Sequence, residues 1–193
     1  MFKDYQRPLR EMLERICRDS IASRGCARVV DVGCANGTVA FWLKGKFPPE
    51  TVRYVGVDPS AMFLDDARAH FPHHTSIQSD CAGLARITLE QADVAVISGV
   101  LCFISPRDTI TALTKARDVA PYVIIRDFFG NTGSGEVGAF YHHEGFPMFA
   151  HDFDLYAGEL GLSIMNIEES PTPDDRRGFA TALLTREVPP SRG

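Results

Sequence analysis

The sequence predicts a single α/β domain: a mostly parallel sheet with helices on both faces. Three observations predict it. Short apolar runs recur along the chain, most of them stopped by glycine, aspartate or proline. Helical stretches, amphipathic or capped, separate most of these runs. The last two runs are joined by a polar turn with no helix between them. Strand–helix alternation builds parallel sheets, because a parallel crossover must travel the length of the sheet. A bare polar turn joins antiparallel strands, either as direct neighbours or with one inserted beside a nearby strand.

The elements follow in order. Leu9, Met12, Leu13 and Ile16 recur at helical spacing, with Arg10, Glu11, Glu14 and Arg15 between them. This makes residues 1–25 an N-terminal amphipathic helix, either a packing helix or a lid. Residues 27–32 read as a buried strand, 33–37 as a tight glycine turn and 38–46 as a helix. Residues 54–57 form a second strand ended by Asp58-Pro59, and 61–71 a helix capped by Ser60. A short third strand, 76–78, ends near Asp80, and 92–97 is a fourth. Ser105 caps a helix over 106–119 with Pro106 at its first position, and 122–126 is a fifth strand. Residues 128–148 break the rhythm and are rich in glycine and aromatics, including Phe128, Phe129, Phe140, Tyr141 and Phe146. A stretch this long is read as an acceptor-side functional loop. The helix resumes over 149–160, Gly161 stops it, and strands over 162–167 and 179–187 flank a polar turn at 171–178. A frayed tail, 189–193, closes the chain.

The 193 residues, 45% hydrophobic and 23% charged, suit one domain with a substantial core. A net charge of -5 argues against a nucleic-acid partner. No charged-then-apolar leader opens the sequence and no apolar run approaches the ~20 residues that span a bilayer. A cytoplasmic protein without membrane attachment is expected. Cys17, Cys26, Cys34, Cys81 and Cys102 form no CxxC pair and are odd in number, as for reduced packing thiols.

In such a sheet, ligands sit at the carboxyl ends of the strands where strand order reverses. Asp31, Asp58 and Asp80 fall at or just beyond three successive strand ends. Asp31 precedes Gly33-Cys34-Ala35-Asn36-Gly37, where glycine lets backbone approach a ligand closely. A dinucleotide fingerprint would need glycine at Ala35 and usually at Thr38. An acid before the turn also receives pyrophosphate poorly. It suits a cationic amine instead; Asp58 suits a ribose diol, and Asp80 with Cys81 an adenine edge. Amine, diol and adenine together describe S-adenosylmethionine. The plainer readings are a turn cap for Asp31, a strand-ending turn for Asp58-Pro59, a surface acid for Asp80, and packing thiols for Cys34 and Cys81.

Four segments carry a family resemblance: VVDVGCANG (29–37), YVGVDPS (54–60), SDCAGL (79–84) and VAVISGVLCFI (94–104). In order and spacing the chain resembles the class I S-adenosylmethionine-dependent methyltransferases. The resemblance implies a Rossmann-like, seven-stranded sheet whose last strand is antiparallel and inserted between the fifth and sixth. It also implies that Gly33, Cys34, Ala35 and Gly37 wrap the amino-acid end of the cofactor. Asp58 would hold the ribose with Pro59, Ser60 and Met62 beside it. Asp80 and Cys81 would flank the adenine, Ser98, Gly99 and Val100 would line the floor, and Asp31 would support the turn and the amine. Ala35 departs from the family's usual glycine. Ser98-Gly99 stands where metal-dependent O-methyltransferases of this fold carry an acid, and no Asn-Pro-Pro-aromatic run marks a nucleobase or protein-amide substrate. His143 and His151 match no zinc spacing, so no metal is expected.

The expected activity is O- or N-methylation of a small molecule. A hydroxyl acceptor requires a base, for which the candidates are His142, His143 and Asp127, the last of which reads equally as a turn-capping acid. The alternatives are a non-catalytic regulatory protein that binds S-adenosylmethionine, and a nicotinamide-dependent dehydrogenase.

Overall fold

A computed structural model describes residues 6–129, 140–143, 146–149, 151–171 and 178–186. Its main sheet is built from β1 (Ala27–Val32), β2 (Val52–Asp58), β3 (Thr75–Gln78), β4 (Val94–Ser98), β5 (Tyr122–Phe129), β8 (Leu162–Pro171) and β9 (Gly178–Arg186). A separate hairpin pairs β6 (Phe140–His143) with β7 (Phe146–Phe149). The strand order is β3-β2-β1-β4-β5-β9-β8. Neighbouring strands from β3 to β5 pair in parallel, and β9 runs antiparallel to both β5 and β8. The expected seven-stranded sheet with an inserted antiparallel final strand is therefore present.

Among the described residues five α-helices cover the sheet: α1 (Arg7–Arg24), α2 (Thr38–Lys44), α3 (Ala61–His70), α4 (Pro106–Val119) and α5 (Phe153–Leu160). Side-chain alternation along each strand divides the core in two. Val29, Val94, Val96 and Ile124 join Leu9, Leu13 and Ile16 of α1, Leu43 of α2 and Leu64 of α3 on one face. Val30, Val32, Ala95, Ile97, Val123 and Ile125 join α4 and α5 on the other. Covering both faces is what makes β1, β4 and β5 nearly continuous apolar runs.

Helix boundaries follow local chemistry. The Ser60 hydroxyl accepts from Phe63 N–H at 3.3 Å, and Ser105 accepts from Asp108 N–H at 3.2 Å. α1 buries Pro8, Leu9, Met12, Leu13, Ile16, Cys17 and Ser20 against the sheet. This burial supports the packing alternative left open by its sequence; each buried Leu, Met or Ile contributes roughly 1.5–3 kcal/mol.

Two expectations on the carboxyl-terminal side are corrected. Within 128–148, read as irregular, β5 extends to Phe129 and the β6–β7 hairpin forms. Aromatic and β-prone residues outweigh the single Pro147, which a two-stranded ribbon tolerates because half its ladder faces no strand. The helix expected from residue 149 begins at Phe153, because Asp152 caps it by accepting from Leu155 N–H at 3.1 Å. The expected turn at 171–178 and the tail 189–193 lie mostly or wholly outside the described residues.

Candidate active site

Strand order reverses between β1 and β4, and in open α/β sheets the ligand crevice lies at the carboxyl ends of the strands at such a point. The turn after β1 is fixed there from below. Gly33 and Cys34 both donate to the carbonyl of Val57, at 2.7 and 3.1 Å. Gly33 has φ +77, and a Cβ on it would lie 2.1 Å from Cγ2 of Val100, so any side chain would collide with the segment after β4. Glycine is required both for the conformation and for the approach. Ala35 occupies the left-handed region at φ +46 without being glycine. Its N–H donates to Oδ2 of Asp58 at 2.9 Å, which pins the strained residue. Gly37, at φ +93, starts α2.

Asp58 is buried, and its Oδ1 accepts from Ser60 N–H at 2.9 Å. The carboxylate thus joins the glycine turn to the start of α3, and each oxygen retains a second lone pair for a ligand hydroxyl. Pro59 is exposed and Ser60 half-buried beside it, while Met62 is 71% exposed and free of the core. Asp80 is exposed, and its Oδ1 accepts from Gly83 N–H at 2.6 Å, closing the loop that carries half-buried Cys81.

Asp31 is 2% exposed and accepts from the Tyr54 hydroxyl at 2.5 Å. Burial pushes its carboxyl up to about 7, against the lowering effect of the Tyr54 bond, and the nearby Asp58 charge adds to the rise. Tyr54 was not among the residues singled out from sequence. Its reach depends on Gly56, where a Cβ would meet Cys34 Sγ at 2.7 Å and the Tyr54 ring at 3.1 Å. The missed signal was the two-residue spacing of Tyr54 and Gly56 beside Asp31 in the parallel register. Among the described residues, no basic side chain forms an ion pair with Asp31, Asp58 or Asp80. Their shared neighbourhood shows at the thiols. Burial first, then Asp31 and Asp58, raise Cys34 to about 12; burial first, then Asp108, Asp80 and Asp58, raise Cys81 to about 11. Both are packing thiols with no tendency to ionise.

On the other side of the crevice, Ser98, Gly99 and Val100 are half-buried at the end of β4. Gly99 has φ +67, and a Cβ there would meet nothing within 4 Å, so the floor has open space above it. Asp127 shapes this floor. It is fully buried and accepts from the N–H groups of Val100, Leu101 and Cys102 at 2.8, 2.7 and 3.1 Å. Its carboxylate is committed to backbone, so of its two sequence readings the turn-capping acid is the one the geometry supports, and the candidate base is corrected accordingly. His142 and His143 lie on β6, opposite Pro147 and Phe146, and their side chains lie outside the described residues. His151 is fully buried with both ring nitrogens engaged, a role its sequence context did not suggest.

A strand-order reversal, with a glycine turn on one side, open space over Gly99 on the other and acids without ion-pair partners among the described residues, fits a nucleoside-binding α/β protein that favours a cationic ligand. The donor set fits S-adenosylmethionine, whose amine and sulfonium are positive and whose ribose offers two hydroxyls to Asp58. A family profile described as a methyltransferase domain matches residues 30–120, which hold all of these features. That match takes in just under half of the chain, and the fold is that of S-adenosylmethionine-dependent methyltransferases.

Over 92 residues the chain is 28% identical to a carboxy-S-adenosyl-L-methionine synthase of Haemophilus ducreyi; the match covers 46% of this chain and 38% of that protein. It therefore spans well under half the length of the curated relatives it matches. In fold it is similar to a TehB-like methyltransferase of Corynebacterium glutamicum, with TM-score 0.63, 22% identity and coverage of 90% of this chain and 87% of that one. It is also similar to magnesium protoporphyrin IX methyltransferase of Synechocystis with bound S-adenosylhomocysteine, with TM-score 0.64, 15% identity and coverage of 95% and 86%. No helix among the described residues is long and apolar enough to cross a membrane.

Proposed function

We propose that this chain transfers the methyl group of S-adenosylmethionine to an oxygen or nitrogen of a small cytoplasmic molecule. The observation that carries the reading is the group of three acids, without ion-pair partners among the described residues, around the glycine turn. When bound, the cofactor supplies an electrophilic methyl carbon; the acceptor forms the new bond as the carbon–sulfur bond breaks, and its electron pair stays on sulfur. The protein's own residues bind, orient and deprotonate. Asp31 faces the positive amine, and Asp58 takes the ribose diol while holding Ala35. Asp80 and Cys81 border the adenine, and the Val100 turn fixes the floor so that donor and acceptor meet in line. His142 or His143, on the acceptor-side hairpin, takes the proton of a hydroxyl acceptor.

Calorimetry against S-adenosylmethionine, S-adenosylhomocysteine and NAD tests the first half of the reading. Binding of the first two and not of NAD is expected. Asp58→Ala should raise the dissociation constant for S-adenosylhomocysteine at least tenfold, since a charge-assisted hydrogen bond contributes roughly 1.5–3 kcal/mol. An unchanged constant removes Asp58 from the site. Label transfer from the methyl-labelled cofactor to a metabolite panel tests the second half. Turnover that falls in His143→Ala while cofactor affinity holds identifies the base. Tight binding with no transfer to any metabolite supports the regulatory alternative. Kinship with the carboxy-S-adenosyl-L-methionine synthases favours one further reading, in which the cofactor itself is modified; mass spectrometry of the cofactor after incubation with carboxylate donors separates it.

A further inference from the structure

We propose that His151 is a positioning residue that ties the acceptor-side hairpin to the floor of the cofactor site. The proposal rests on the methyl-transfer reading above. His151 stands between β7 and α5 and is 0% exposed. Its Nε2 lies 2.6 Å from the carbonyl oxygen of Leu101. A carbonyl only accepts, so Nε2 carries the proton. Its Nδ1 lies 3.0 Å from the Tyr156 hydroxyl, which donates to it when the ring is neutral.

Leu101 belongs to the short turn Leu101–Phe103, directly after Val100. Asp127 accepts three N–H groups of this segment, from Val100, Leu101 and Cys102. His151 donates to the carbonyl of the middle residue of those three. The turn is thus gripped through its N–H groups from β5 and through a C=O from the acceptor side. β7 also packs on the same turn, with the Phe149 ring 6.4 Å from the His151 ring. The Asp127 grip comes from within the sheet. The His151 grip comes from the end of the hairpin, so a shift of the hairpin on acceptor binding reaches Val100 through the Leu101 peptide. The Leu101 carbonyl sets the tautomer, and Tyr156, anchored on α5, holds the ring in place by donating to Nδ1.

The test measures S-adenosylhomocysteine affinity at a temperature where every variant is folded, together with the imidazole ¹⁵N shifts of His151. His151→Ala should weaken affinity by about tenfold, and His151→Gln, whose amide also donates to a carbonyl, should restore most of it. Tyr156→Phe should weaken affinity a few-fold while the Leu101 carbonyl keeps the ring in the Nε2–H tautomer. A purely structural histidine would lower the melting temperature in all three and leave the affinity of the folded protein unchanged. That result, or His151→Gln no better than His151→Ala, overturns the proposal. If His151→Ala does not fold, the Tyr156→Phe affinity and the wild-type tautomer decide; a wild-type Nδ1–H or doubly protonated ring at neutral pH overturns it. Failure of the wild type to bind S-adenosylhomocysteine instead removes the methyl-transfer reading, and this inference with it.

Discussion

Ala35 is the described non-glycine residue at positive φ, and it sits where the family's usual residue is glycine. A left-handed L-residue costs about 1–2 kcal/mol, so Ala35→Gly should relieve strain and stabilise the protein by about 1 kcal/mol after glycine's entropic cost. Chemical denaturation measures the gain, and cofactor affinity should hold because the N–H to Asp58 remains. Asp31 yields a pH prediction. Its carboxyl rises from 3.8 to about 7 on folding, with burial the main cause. Between those values the folded state holds a proton that the unfolded state has released. Its contribution is therefore complete below about pH 4 and is lost as the pH rises through 7. Asp31→Asn keeps an acceptor for the Tyr54 hydroxyl and removes this titration. At pH 8 it should be more stable than the parent by roughly 1–3 kcal/mol, with little difference at pH 4. Parallel stability–pH curves for the two proteins would refute it. The acids stand out in the sequence because they fall at or just beyond strand ends, and the structure shows that Asp58 and Asp80 also accept backbone N–H groups of the turns there. Tyr54 does not stand out, because its role depends on a glycine two residues on and an acid on the next strand.

At the scale of elements, the two helices with serine caps were legible almost to the residue: Ser60 and Ser105 start α3 and α4 where their sequences place them. The start of α5 was read four residues early, because apolar spacing continues backward from Phe153 while the cap at Asp152 fixes the boundary. For α1, periodicity showed an apolar stripe but not what covers it. The structure answers with the sheet, since Leu9 and Leu13 are 0% and 2% exposed in the core. Leu13→Ala should therefore cost about 2–5 kcal/mol of stability and leave the S-adenosylhomocysteine affinity of the folded protein unchanged. A lid would give the reverse, a loss of affinity with little loss of stability. The base follows the same division. Asp127 read as either a base or a cap because both stand at strand ends, and only the three N–H groups it accepts separate the two.

For the whole molecule, periodicity predicts strands but not their order. The insertion of the last strand came from the family resemblance, and its consequence is structural. Among the described strands β8 pairs only with β9, at nine register positions, and β9 pairs in turn with β5 at eight. The sheet is therefore complete only when a strand near the end of the chain enters between two that precede it. Those pairings span a long stretch of sequence, so loop closure is slow and the edge of β5 stays open until late in folding. Removing residues 178–193 would leave the edges of both β5 and β8 without partners and detach α5, with its Tyr156 and the neighbouring His151, from the rest of the sheet. Exposed strand edges recruit other chains. The truncated protein should therefore show no cooperative thermal transition and should elute as aggregate on size exclusion. A truncated chain that is monomeric and unfolds cooperatively would mean that the β1–β5 half with its helices is a self-sufficient domain. In that case the grip of His151 on Leu101 could not be what holds the floor in place.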